Sequence, residues 1–143
     1  MSDGDLFKLY SQRILALSTE MPCTEPLAAP TASARKRAPL CGSTVAVEIA
    51  LQDGKITGYS QDVHACALGQ ASAAIFGAQI IGMTRPQVQE LRDQLAAMLK
   101  GGPVPAPPFT DYEVLTAARE YSNRHGSILL APDAVLLAFE SVA

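Results

Sequence analysis

Charge is scarce in these 143 residues: 17% are Asp, Glu, Lys or Arg, and the net charge is −3. So slight an acidic excess leaves no electrostatic footprint for nucleic acid or for an anionic membrane. Long apolar runs are missing as well. No stretch approaches the roughly 20 residues of a membrane span, and the opening Met1-Ser2-Asp3-Gly4-Asp5 is not a secretory signal. Cysteine is limited to Cys23, Cys41 and Cys66, an odd set too small for a disulfide framework. A reduced, cytoplasmic protein is expected. Histidine occurs only as His64 and His125. Against these shortages, 48% of the chain is hydrophobic and its mean hydropathy is +0.15, which excludes a disordered chain. The length suits one domain over residues 1–143 with a core of ordinary size.

Leu6, Leu9, Tyr10, Ile14 and Leu17 recur at helical spacing, so a first helix is expected over Leu6 to Leu17, ending before Met21-Pro22. A connector studded with Pro22, Pro26, Pro30 and Pro39 follows and carries the run Arg35-Lys36-Arg37. That run reads first as a solvated edge, with docking onto an acidic partner as the alternative. Val45, Val47, Ile49 and Leu51 then alternate with Thr44, Ala46, Glu48 and Ala50, the signature of a half-buried strand. Asp53-Gly54 supplies the positive φ angles of a tight hairpin turn, and Ile56 to Val63 returns as a second strand. An unbroken two-residue hairpin sets Thr44 opposite Val63, Ser43 opposite His64 and Cys41 opposite Cys66, roughly 5 Å apart at Cβ.

Beyond Ala67 the spacing is helical again. Leu68, Ala71, Ala74, Ile75, Ala78 and Ile81 describe a helix apolar on most sides, hence buried. Thr84 with Gln87 forms a capping box for a helix over Arg85 to Lys100. Thr110 with Glu113 suggests a second box, opening a helix to about Tyr121. Arg124-His125-Gly126-Ser127 reads as a polar turn, and a last helix is expected from about Ile128 or Pro132 to Ser141. The fold class is therefore α+β: a small antiparallel sheet, made of the hairpin and a third strand within Thr31 to Ala38, packed on one face by about five helices.

Cys66 falls where a strand hands over to a helix, a place that favours thiolate. His64, two residues earlier, adds a proton relay or a metal-binding nitrogen. Cys41 lies in the turn Pro39-Leu40-Cys41-Gly42-Ser43, where Gly42 lets backbone approach whatever the thiol holds. Burial as small hydrophobes is the competing reading for both cysteines. Cys23 has no partner nearby in sequence. His125 could complete a Cys2His2 zinc set with Cys41, Cys66 and His64, although a histidine beside Arg124 also suits helix capping. A catalytic pairing of Cys66 as nucleophile with His64 as base ranks last, for want of an oxyanion motif.

The Pro39-to-Ser43 turn, the Asp53-Gly54 hairpin and His64-Ala65-Cys66-Ala67-Leu68-Gly69-Gln70-Ala71-Ser72-Ala73 together resemble the amino-terminal scaffold domain of NifU and its IscU and SufU relatives, over nearly the whole chain. The separation of 61 positions from Cys66 to Ser127 resembles the SufU branch most. The resemblance implies a non-enzymatic iron–sulfur cluster assembly scaffold or sulfur acceptor, binding iron, cluster or zinc through Cys41 and Cys66. It also implies a cysteine desulfurase as sulfur donor and apo-proteins as recipients, and excludes nucleic acid and membrane. The chain departs from the family pattern at two positions. Ser43 stands at the aspartate position and Ser127 at the third cysteine, so the metal set is Cys41 and Cys66 with Ser43, Ser127, His64 or His125 as substitutes. Alternatively, two copies each give two thiolates to a bridging cluster. The Leu-Pro-Pro-Val-Lys chaperone motif of the IscU type is absent. A binding module of the same fold, holding structural zinc or no metal and docking on a desulfurase through Arg35, Lys36, Arg37 and Arg124, is the competing function.

Overall fold

The computed structural model describes residues 11 to 142. In order these form α1 (Gln12–Thr19), β1 (Ala32–Arg37), β2 (Thr44–Gln52), β3 (Lys55–His64), α2 (Ala67–Gln79), α3 (Arg85–Leu99), a 3-10 helix (Thr110–Ala118), a 3-10 turn (Ser122–Arg124) and α4 (His125–Glu140). Residues Leu6 to Tyr10 of the expected first helix lie outside the described residues; the rest of it is α1, which runs on to Thr19. The sheet is antiparallel in the order β1-β2-β3, and β1 supplies the expected third strand. The protein is α+β. Val45, Val47 and Ile49 of β2 are all buried on the helix-covered face, where α4 packs across β1 and β2 and both α2 and α3 pack on α4.

The hairpin turn has positive φ at Asp53 and Gly54, 53° and 77°, as a two-residue turn requires. The register beyond it differs from the unbroken ladder. Leu51 pairs with Ile56 but Ala50 pairs with Gly58, so Thr57 is an extra residue on β3. This is a β-bulge, which places two residues against one. Every later pair shifts by one: Thr44 faces His64, and Val45 faces Val63. Cys41 therefore does not sit opposite Cys66 across the hairpin; the ladder ends before reaching it. Because side chains alternate between faces, the shift also turns Tyr59 and Gln61 inward, both buried, with Tyr59 donating its hydroxyl to Gln61 at 2.9 Å.

Two helical expectations change. Thr110 and Glu113 do not cap an α-helix; the segment is 3-10, with Phe109 at its cap and no side-chain cap bond. Phe109, Tyr112, Leu115 and Ala118 explain this. They recur every three residues, the repeat of a 3-10 turn, and all four are buried. Second, α4 begins at His125 rather than at Ile128 or Pro132, and Pro132 lies inside it. An internal proline removes the N–H that would bond the carbonyl four residues back, here that of Ile128. Ser72 of α2 replaces it, donating its hydroxyl to the Ile128 carbonyl. Tyr112 in turn donates to the Ser72 carbonyl at 3.0 Å. The early start of α4 carries Ser127 into its first turn, against α2. The capping box on α3 forms as expected, with the Thr84 N–H bonded to Gln87 at 2.9 Å.

Candidate functional site

Three chain reversals converge on one spot. The first is the turn between β1 and β2, closed by Ala38 N–H to the Ser43 carbonyl at 2.8 Å and Gly42 N–H to the Ala38 carbonyl at 2.9 Å. Gly42 has φ 72°, a conformation glycine adopts without strain. The second is the start of α2, where Cys66 occupies the cap position in extended conformation. The third is the first turn of α4, which contributes Ser127. Neither helix has an acidic residue in its first turn, so both positive dipole ends face the site uncompensated from within.

Four side chains meet there. The Cys41 thiol donates to Ser43 Oγ at 3.4 Å. Ser127 Oγ donates to Ser43 Oγ at 3.1 Å. Cys66 Sγ lies 3.7 Å from Ser127 Oγ. The two thiols thus stand at the ends of one chain of contacts, Cys41 to Ser43 to Ser127 to Cys66. The serines are buried, 4% and 2% exposed, whereas Cys41 is exposed and Cys66 half-buried. Gly69 makes the packing feasible. A Cβ at that position would strike Ser127 Oγ and crowd Ala65, so α2 and α4 approach this closely only because residue 69 has none.

Partial burial alone would raise the Cys41 thiol pKa. The hydroxyl and N–H of Ser43, the hydroxyl of Ser127 and the thiol's own backbone N–H outweigh it and set the pKa below the ordinary value, because hydrogen bonds to the anion favour the charged form.

The other candidate residues lie elsewhere. His64 ends β3 with its side chain largely exposed, Nε2 3.1 Å from Asp62 Oδ1. His125 Nε2 is 2.9 Å from the Ala118 carbonyl, tying the start of α4 to the end of the 3-10 helix. Neither histidine is brought into the thiol–hydroxyl cluster. Arg35, Lys36 and Arg37 are exposed on the edge strand β1, and Arg124 is half-buried just ahead of α4. Arg37 flanks the Cys41 turn, its Nη2 3.6 Å from where a Gly42 Cβ would stand. Cys23, with Sγ 3.6 Å from the Gly77 carbonyl, belongs to the far end of α2.

The donor set can be tested against a metal ion or cluster. A tetrahedral zinc or a [2Fe–2S] centre takes four thiolate, imidazole or carboxylate donors. Two thiols and two hydroxyls that already bond one another do not fit that need. Among the described residues no three His, Cys, Asp or Glu side chains group as a metal site.

Ser72 and Gly69 were not singled out in the sequence, yet both set the approach of α2 to α4. A signal for Ser72 was available: a proline four residues after Ile128 demands an outside donor.

The architecture, a three-stranded antiparallel sheet under a helical layer with a thiol site at the start of α2, has close counterparts among solved structures. The amino-terminal part of a NifU-like protein from Brucella abortus superposes with a TM-score of 0.91 at 37% identity, over 96% of both chains. The chain therefore belongs to the NifU/IscU/SufU-like family. A Fervidobacterium islandicum AW-1 protein described as an iron–sulfur cluster assembly scaffold for the SUF system shares the fold, with a TM-score of 0.76 and 22% identity over 92% of this chain and 97% of that one. A hypothetical protein does too, at 0.81 and 20% identity over 94% and 98%. No family model and no curated protein matches the sequence.

Proposed function

We propose that this protein serves iron–sulfur cluster assembly as a sulfur acceptor, taking sulfur from a cysteine desulfurase onto Cys41 and Cys66 for delivery to recipient apo-proteins. One observation carries the reading: in a NifU-like fold, two accessible thiols flank one bonded pair of hydroxyls, Cys41 against Ser43 Oγ and Cys66 against Ser127 Oγ. Cys41 is the exposed member and the better placed to meet a donor. The relatives support the assembly context, since one solved neighbour is described as a scaffold for that process. As a carrier, the protein is no enzyme in its own right. No helix among the described residues is long and apolar enough to cross a membrane, in keeping with work in the cytoplasm.

Iron or a cluster is cargo here, and one chain offers two good donors. Holding either calls for two further thiolates, as when two copies face each other in a homodimer.

Incubation with a cysteine desulfurase and limiting L-cysteine, followed by peptide mass spectrometry, tests the proposal. The expected first product, trapped by alkylation at early times, is one added sulfur on Cys41, absent in Cys41→Ala. An unmodified Cys41 beside an active desulfurase would sink it. The Ser43–Ser127 pair favours a second reading, a binding module that has lost the chemistry; desulfurase binding without sulfur uptake is its distinguishing result.

A further inference from the structure

The acceptor reading leaves open how sulfur departs from Cys41. A site with four strong donors would pass it to bound metal. This site has hydroxyls at two of its four positions, and among the described residues no third metal donor stands near the thiols. What the site offers instead is a second thiol across one bonded pair of hydroxyls. Cys41 meets Ser43 Oγ from an exposed turn opened by Gly42, Cys66 meets Ser127 Oγ from the cap of α2, and the two oxygens are 3.1 Å apart. Cys23 is no competitor, since its thiol rests on the Gly77 carbonyl, about 16 Å along α2 from Cys66 at the usual rise per residue.

We propose that Cys66 is a resolving thiol that expels the sulfur loaded on Cys41 as hydrosulfide. The inference rests on the acceptor reading for the source of the sulfur. In the loading step the Cys41 thiolate attacks the outer sulfur of the donor persulfide. The donor's S–S bond breaks, its thiolate leaves with the electron pair, and a Cys41 persulfide forms. In the resolving step the Cys66 thiolate attacks the Sγ of Cys41. The outer sulfur leaves as hydrosulfide with that bond's electron pair, and a Cys41–Cys66 disulfide remains. The transferred sulfur is reduced to sulfide and the two thiols are oxidised, so no outside oxidant is involved. A thiol reductant resets the pair by exchange. Ser127 is the positioning residue, its hydroxyl against Cys66 and bonded to the Ser43 hydroxyl that Cys41 meets.

The test is a single turnover without added thiol. Protein reduced and desalted is loaded in parallel by a desulfurase with limiting cysteine and by glutathione persulfide. Sulfide is then measured, and the disulfide is mapped by mass spectrometry. Wild type is expected to release sulfide in step with a Cys41–Cys66 disulfide. Cys66→Ala is expected to keep its persulfide on Cys41, cutting release by about tenfold or more. Ser127→Ala should slow release by more than it slows loading, since the Ser43 contact of Cys41 remains. A persulfide that persists on wild-type Cys41 with no such disulfide overturns the inference, and this readout needs no variant to fold. Release after glutathione persulfide but no loading by the desulfurase overturns the acceptor reading alone.

Discussion

The two ends of α2 each hold a cysteine, and they differ in what the thiol meets. At the start, Cys66 is half-buried beside the Ser127 hydroxyl, which can donate, and the exposed Cys41 meets the Ser43 hydroxyl bonded to it. At the far end, Cys23 packs its thiol on a backbone carbonyl, which can only accept, and burial pushes its pKa up. Gln61 seals that end: its side-chain amide donates to the Pro22 carbonyl at 3.2 Å and the Ala73 carbonyl at 3.1 Å. One helix therefore carries a reactive end and an inert end. Donors decide which is which, since thiolate rather than thiol reacts.

The largest expected effect sharpens that contrast. Iodoacetamide at neutral pH should alkylate Cys41 on the order of a hundred times faster than Cys23, as read by time-resolved peptide mapping. The midpoint of the Cys41 pH–rate profile should lie below the ordinary thiol value, in line with its lowered pKa. The linkage sign follows from the same shift. A thiol with depressed pKa adds stability that is present above its unfolded pKa and fades as pH falls through the folded one. Because Cys41 is exposed, the reaction rate is the sensitive readout. Comparable alkylation of the two cysteines would erase the contrast.

A second change would convert the reactive end. Ser127→Cys places a third thiol against Cys66, and Ser43→Asp adds a carboxylate beside Cys41, together making four strong donors. The double variant should gain at least about tenfold in zinc affinity over wild type, measured by competition with a chromogenic chelator. Equal affinities would mean that the hydroxyls are not what limits metal binding.

The smallest effect blurs the contrast from inside. Ser72→Ala leaves the Ile128 carbonyl buried without its donor, at a cost of about 1–3 kcal/mol in urea unfolding. The loss should be accompanied by looser positioning of Ser127 and slower alkylation of Cys41. Wild-type stability in this variant would show that the proline-freed carbonyl finds another partner.

The sheet was legible because its signals are local. Strand alternation in Val45, Val47 and Ile49, and the Asp53-Gly54 turn, need no tertiary information. The bulge at Thr57 was not: turn type fixes register only until an extra residue enters, and nothing in Ile56-Thr57-Gly58 announces one by spacing. The start of α4 was misread because Arg-His-Gly-Ser has the composition of a turn and Pro132 resembles a first helical residue. What keeps Pro132 inside a helix is Ser72, 56 residues before Ile128. The meeting of Cys41 and Cys66 has the same character. Hairpin arithmetic sets them opposite each other; α4 instead brings Ser127 against Ser43, and that pair links them.

That borrowed hydrogen bond has a mechanical consequence. Within an unbroken helix each carbonyl is served by its own strand of chain, and a helix can rotate or slide as a body against its neighbours. Helix α4 has given up that freedom at one point. Sliding it by a single residue would present the Ser72 hydroxyl with a carbonyl already taken, and strand the free one in an apolar interface. Helices α2 and α4 are therefore indexed to each other like teeth on two gears, in whole steps rather than by degrees. The spacing between Cys66 and Ser127 inherits that indexing from a proline that never touches sulfur.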